Sequence, residues 1–214
     1  DNKDQSYFLC RLTQQQLSRA IFPIGDMNKD TVRQMAKDIG FSIYNKKDST
    51  GICFIGERPF KEFLSKYIPI KTLEGVVLGT HDGVYFYTIG QRHGLGIGGI
   101  QGGSNTPWYV VNKDISSNTL YVIQGNKSPE LYSLGLTARN IHWIENNTPK
   151  YPVECAAKTR YRQPDQTCLI TKQSDDAIQV LFKTPQKAIA PGQYVVFYDH
   201  DRCLGGGIIT SAIN

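Results

Sequence analysis

No run of about eighteen apolar residues, the least that crosses a bilayer as a helix, occurs in this chain. The opening DNKDQSYFL lacks both the basic and the hydrophobic parts of a secretory signal, so a cytoplasmic location without a membrane partner is expected. Cysteine is sparse: Cys10, Cys53, Cys155, Cys168 and Cys203 are odd in number, scattered, and contain no Cys-x-x-Cys pair. With only four histidines beside them, they support neither a disulfide framework nor a zinc site. Reduced thiols and no bound metal are therefore expected. Internal repeats and low-complexity tracts are missing too, which excludes a solenoid or a disordered array. Methionine occurs only at Met27 and Met35 and not at position 1, and the expectation is a fragment or a processed chain.

What is present suits a folded protein. The 214 residues are 40% hydrophobic, enough for one large domain or two small ones. A formal charge of +5 leans toward polyanionic partners but decides nothing alone. Helical signals sit at 12–20, where Thr13 can cap, and at 30–40, where Val32, Met35, Ala36 and Ile39 share a face ending at Gly40. A third helix is expected from Pro59, with Phe60, Phe63, Leu64 and Tyr67 on one side.

From Leu73 onward the pattern becomes short β-type runs: EGVVLGTHDG, VYFYTIG, PWYVVNKD, NTLYVIQG, ECAAKTRYR, TCLITK, AIQVLFK, QYVVFYD and GGGIITSAI. Asp82-Gly83 signals a hairpin and 199–201 another tight connection. A polar loop is expected at 144–150, and 124–130 is a candidate seam between β modules. Helices followed by many strands predict an α+β chain. The first fifty-odd residues are too few for a core of their own unless they complete a larger domain.

Few stretches carry chemistry. Gly94, Gly96 and Gly99 satisfy G-x-G-x-x-G, but the sequence then runs into a strand instead of the helix a dinucleotide pyrophosphate needs. A loop whose backbone approaches something closely is expected there. Gln91, Arg92 and His93 either contact an RNA backbone or lie in a solvated loop. His81, His142 and His200 have no ligand-spaced partners, and the glycines at 205–207 suggest a barrel bend or bulge. KTRYRQ (158–163) interleaves cations, an aromatic ring and an amide. That combination suits phosphate contact with base stacking and equally an ordinary strand with a charged outer face. Cys53, in KDSTGICFIGER, is either a small buried hydrophobe or a thiolate favoured by Lys46, Lys47 and Arg58.

KDQSYFL (3–9), FPIGD (22–26), KDSTGICFIGER (47–58), YTIGQRHGLGIGG (87–99), KTRYRQ and the APGQ of 190–193, taken in this order, resemble the bacterial tRNA-uridine 2-sulfurtransferases, or tRNA 2-thiouridylases, over essentially the whole chain. No methyl-donor signature accompanies them. The resemblance implies a short helical segment (1–57) completing an α/β ATP-pyrophosphatase domain, a small mostly β central domain (58–128) and a C-terminal β-barrel (129–214). The SGG-type phosphate loop of that family does not occur here, so the site for the co-substrate ATP is expected outside this chain, as is a second catalytic cysteine.

The implied reaction puts sulfur on the wobble uridine of tRNA. ATP adenylates the 2-carbonyl oxygen, and Cys53, loaded as a persulfide by a sulfur-relay protein, delivers a soft nucleophile to the activated carbon. A disulfide to Cys53 is left for later reduction. Lys3, Asp4, Gln5, Arg160, Tyr161 and Gln193 match positions expected to touch tRNA, with the anticodon arm held by the β modules and the base flipped toward Cys53. The alternative is a tRNA-binding module in which Cys53 is only structural.

Overall fold

The computed structural model describes residues 5–46, 68–98, 106–145 and 147–214. Cys53, Lys3, Asp4 and the helix expected from Pro59 lie outside them.

Three helices open the described chain: α1 (Ser6–Leu9), α2 (Gln14–Leu17) and α3 (Lys29–Asp38). The α2 helix is only one turn long, yet it carries a full capping box: Thr13 Oγ1 accepts the Gln16 N–H while Gln16 Oε1 accepts the Thr13 N–H. Asn28 caps α3 by accepting the Thr31 N–H, so the helix begins at Lys29, one residue before the start read from sequence. The apolar side of α3 is uncovered, with Met35 and Ile39 exposed, and Ile21, Phe22, Ile24, Phe41 and Ile43 are exposed around it. An amphipathic stripe of this kind gains its stability from burial against another element.

Four short strands then form a mixed sheet: β1 (Pro69–Lys71), β2 (Val77–Thr80), β3 (Trp108–Asp114) and β4 (Thr119–Gln124), in the order β2-β1-β4-β3 with β1 and β4 parallel. Its core is Ile70, Val110, Leu120 and Val122, joined by Leu95 and Ile97. Those last two come from the glycine-rich stretch. Its apolar residues plug the sheet while its glycines turn the chain, and no helix follows within the described residues 91–98.

Two expectations fail here. VYFYTIG is not a strand, and Asp82-Gly83 does not join paired strands; Val84–Phe86 is a 3₁₀ turn. The reason is His81, which is buried. Its Nδ1 accepts the Gly83 N–H and its Nε2 lies 3.1 Å from the Asn118 carbonyl. A carbonyl only accepts, so Nε2 carries the proton. Asn118 Oδ1 in turn accepts the Val84 N–H, and these bonds hold the backbone out of a ladder. Burial pushes the His81 pKa down, partly offset by its bond to Asn118, so the ring serves as a neutral strut.

The C-terminal strands β5 (Tyr132–Trp143), β6 (Val153–Lys158), β7 (Gln166–Lys172), β8 (Ala177–Lys187), β9 (Tyr194–Asp199) and β10 (Arg202–Ile213) close an antiparallel barrel in the order β10-β5-β8-β7-β6-β9. Alternation decides what points inward: Ile178, Val180 and Phe182 of β8 fill the core while Leu181 between them is exposed. The continuous apolar run of β9 has another cause. Val195 and Phe197 face the barrel core, whereas Val196 and Tyr198 on the opposite side are covered by Cys10 and Tyr7. The glycines of β10 do form the expected bulge, with register shifts at 203/205 and 206/208. The longest strand with β10, β5, was not read from sequence at all, because Gly135, Arg139 and Asn140 break its alternation.

Candidate nucleic-acid interface

ECAAKTRYR does not continue as one strand: β6 ends at Lys158 and residues 159–163 turn. Gln163 makes the turn, since its Oε1 accepts both the N–H and the hydroxyl of Thr159 and its own N–H reaches the Arg160 carbonyl. Gln163 Nε2 donates to Gln186 Oε1 at 2.7 Å, and Gln186 Nε2 donates to Gln166 Oε1 at 3.0 Å. This amide chain fixes the turn onto β7 and β8, so Gln163 is spent on structure.

Arg160 points inward from that turn. Its Nη2 donates to the carbonyls of Ile89 and Ala188, tying the connection between β2 and β3 of the mixed sheet to the end of β8. Burial lowers its pKa, with Tyr7 acting in the opposite sense. The two backbones meet closely: a Cβ on Gly90 would lie 2.4 Å from Ala188 Cβ, and Gly90 sits at φ +81°. Lys187 adds a cation–π contact, its Nζ 4.5 Å from the centre of the Tyr109 ring. Arg160→Ala would strand two partly buried carbonyls, and we expect a loss of about 1–3 kcal/mol, read from denaturant midpoints.

Tyr161, next in sequence, turns outward to meet the N-terminal segment. Its ring centre is 4.6 Å from that of Phe8 and 6.4 Å from that of Tyr7, and its hydroxyl is buried without a hydrogen-bond partner. The N-terminal segment is itself pinned to the barrel. Tyr7 O–H donates to the Tyr194 carbonyl at 2.8 Å, Arg11 Nη1 to the Asn140 carbonyl at 2.6 Å, and His142 Nε2 to the Leu12 carbonyl at 3.0 Å. Burial pushes the Tyr7 phenol up to about 12, with Cys10 adding to the rise and Arg160 opposing it, so it stays a neutral donor. Gln193 is set by the turn before β9: Gly192 donates to the Ile209 carbonyl and Ile209 to the Gln193 carbonyl, both at 2.8 Å.

Together Tyr7, Phe8, Arg160, Tyr161, Arg162 and Gln193 line an open groove of about 640 Å³, whose lining also includes Arg11 and, among the described residues, contains no carboxylate. The exposed Arg162 guanidinium beside the exposed Phe8 ring and the half-buried Tyr161 ring can take phosphate and a stacked base together, while the Arg160 guanidinium is held by the Ile89 and Ala188 carbonyls. Of the residues expected to touch tRNA, Arg160, Tyr161 and Gln193 are brought to one place, and Gln5 immediately precedes α1, which carries Tyr7 and Phe8, without a side-chain capping bond. Sequence reading missed Tyr7, Phe8, Arg11 and Arg162. The signal was there, in an aromatic pair directly after KDQ and a second arginine within KTRYRQ. Gln91 does not offer its amide outward: its Oε1 accepts the Thr88 N–H and its Nε2 donates to the His93 carbonyl. Among the described residues no cluster of three or more His, Cys, Asp or Glu could hold a metal, and no helix is long and apolar enough to cross a membrane.

Comparison with known proteins gives three family matches along the chain. Residues 1–57 match the tRNA methyl transferase HUP domain, residues 61–124 the tRNA methyl transferase PRC-barrel domain, and residues 133–209 the aminomethyltransferase beta-barrel domain. The tRNA-specific 2-thiouridylase MnmA of Legionella pneumophila (strain Paris) is 52% identical over 216 residues, covering 99% of this chain and 60% of that protein. Its counterpart in Halalkalibacterium halodurans is 56% identical over 213 residues, 97% of this chain and 56% of that protein. The Methylococcus capsulatus protein is 53% identical over 219 residues, 99% of this chain and 59% of its own length. The chain thus spans a little over half of the relatives it matches. Three domain matches in the order of that family, with more than half of the residues identical along almost its whole length, show that the chain belongs to the tRNA-specific 2-thiouridylase family.

Proposed function

We propose that this chain is the tRNA-holding and sulfur-delivering part of an ATP-dependent tRNA-uridine 2-sulfurtransferase. The observation that carries the reading is the convergence of Tyr7 and Phe8, the turn at 159–163 and Gln193 on one cationic, aromatic groove, in a chain whose relatives are named tRNA-specific 2-thiouridylases. Tyr161 and Phe8 offer ring faces for a base, Arg162 a phosphate cation, and Gln193 an amide, while Arg160 positions the turn. Lys3, Asp4 and Gln5 match positions of the family that touch tRNA and are assigned to the same contact, in which the groove receives the anticodon arm. The exposed apolar residues from Ile21 to Ile43 support placing 1–57 in a larger α/β domain, with 58–128 and 129–214 as the following two.

Cys53 carries the sulfur. A sulfur-relay protein loads it as a persulfide; the outer sulfur bonds to C2 of the flipped uridine as the activated oxygen leaves with AMP. A second thiol from elsewhere in the protein then attacks the inner sulfur, releasing 2-thiouridine and leaving a disulfide on Cys53 that a dithiol reduces. ATP supplies the activation, and no residue of this chain is assigned to it. The reaction places the protein in the cytoplasm, where reduced thiols persist.

The groove is tested by tRNA binding to the intact protein across a salt series. Tyr161→Ala is expected to weaken binding about tenfold, since one stacked base contributes roughly 1–3 kcal/mol. Arg162→Ala is expected to reduce the salt slope by about one, the mark of a lost phosphate contact. Unchanged affinity and slope in both variants would remove the groove from the interface.

A further inference from the structure

The barrel contains a pair of thiols that sulfur transfer does not use. Cys155 on β6 and Cys168 on β7 are directly opposed in the antiparallel register, with their sulfurs 3.8 Å apart. Opposed residues on such strands have Cα atoms about 4.5–5.5 Å apart, inside the ~4.4–6.8 Å that a disulfide spans. Rotation about the side-chain bonds is therefore enough to bring the sulfurs together, and the backbone stays in place.

The two thiols differ in access. Cys168 is buried with Ile170 and Phe182 in the barrel core, whereas Cys155 is half-buried and opens onto a cleft of about 430 Å³ that Trp143, Asp199, Arg202 and Cys203 also line. A hydrogen bond between the sulfurs holds the Cys155 thiol below its usual value and, with burial, pushes Cys168 far up. The more acidic thiol is thus the one a small molecule reaches. Cys203 shares the cleft but not the geometry. Strand β9 lies between β6 and β10, which sets Cys203 about two strand spacings, roughly 9.5 Å, from the row of Cys155. That exceeds the reach of a disulfide.

We infer that Cys155 and Cys168 form a reversible cross-strand disulfide when a peroxide enters this cleft, Cys155 attacking and Cys168 resolving. The Cys155 thiolate takes the distal oxygen of hydrogen peroxide, becoming a sulfenic acid as the O–O bond breaks and water leaves. The Cys168 sulfur, giving up its proton, then bonds to the Cys155 sulfur and expels the hydroxyl as a second water. Two thiols and one peroxide become one disulfide and two waters, and a thiol reductant reverses the bond by exchange. The bond closes the base of the β6–β7 hairpin whose turn carries Arg160, Tyr161 and Arg162.

Trypsin separates the partners, leaving Cys155 in peptide 151–158, Cys168 in 163–172 and Cys203 in the peptide that begins at Cys203. Folded, intact protein treated with stoichiometric hydrogen peroxide, alkylated and digested is expected to give 151–158 joined to 163–172, and the two apart again after dithiothreitol. In Cys168→Ala, dimedone is expected to label Cys155, a sulfenic acid with nothing to resolve it. The wild-type digest stands without any variant. Peptides joined through Cys203 or Cys10 instead, a persistent sulfenic acid on Cys155 with Cys168 present, or full alkylation of both thiols after peroxide would each overturn the inference.

Discussion

Cys53→Ser in the intact protein is expected to abolish 2-thiouridine in tRNA, read by nucleoside mass spectrometry, while leaving tRNA affinity within about twofold. The size of the effect follows from chemistry. A persulfide forms on a thiolate and cannot form on a hydroxyl, and none of the other four cysteines has comparable neighbours in sequence. Lys46, Lys47 and Arg58 flank Cys53 in sequence, and cations beside a thiol lower its pKa. The four thiols among the described residues are differently placed. Cys10 and Cys168 are buried, and Cys155 and Cys203 are half-buried on barrel strands. Retained affinity separates a lost reagent from a lost fold, because the groove is built by residues 7, 8, 10, 11, 160–162 and 193–194.

Gly205→Ala is expected to give the largest loss of stability of any small substitution in the barrel, about 3 kcal/mol or more. At the size of this chain that lowers Tm by about 10 °C. A Cβ there would lie 2.0 Å from the His142 carbonyl oxygen and 3.0 Å from Trp143 Cα, both backbone atoms, and the residue sits at φ +145°. The obstruction falls in the regular pairing of β10 with β5, Gly205↔Trp143 and Gly206↔His142, next to the bulge between Gly206 and Ile208. Neither strand yields without opening the barrel, whose β5 and β10 also hold Leu136, Ala138 and Ile209 in the core. At Gly98 a Cβ would meet nothing within 4 Å, and Gly98→Ala is expected to change stability by less than about 0.5 kcal/mol. Thermal melts of the two variants side by side make the comparison.

The sequence pattern was informative wherever one periodic cue governed an element. Thr13 and the apolar spacing of α3 placed helices, and the runs that became β3, β4, β7, β8 and β9 were visible as strands. So was the bulge in GGGIITSAI. It failed where a distant partner decided the outcome. VYFYTIG has strand composition, but His81 and Asn118, 37 residues apart, hold its start in a turn. KTRYRQ has strand composition as well, and the Gln163 side chain folds it back on Thr159. YSLGLTARNIHW lacks alternation and is nevertheless a long strand, because β8 and β10 pair with it on both sides.

The site divides in the same way. Arg160, Tyr161 and Gln193 were picked out from sequence, and the structure gathers them. It also gives Arg160 a different task from its neighbours, since donors aimed at the Ile89 and Ala188 carbonyls act as a clamp between modules. Nothing local in TRYR distinguishes Arg160 from Arg162; only the approach of Gly90 to Ala188 does. Tyr7 and Phe8 join the groove through contacts more than 150 residues away in sequence, such as the Tyr7 bond to Tyr194, and no periodicity reports such a contact.

The central claim is that sulfur bound for tRNA passes through Cys53. Its most direct test is a single-turnover chase in the intact protein. Isotopically labelled sulfur is loaded from a persulfide donor, and peptide 48–61 and the tRNA nucleosides are followed in time. The account predicts one extra labelled sulfur on Cys53 first, then its loss from that peptide as labelled 2-thiouridine appears at the same rate. Label reaching uridine without ever residing on Cys53 would contradict it.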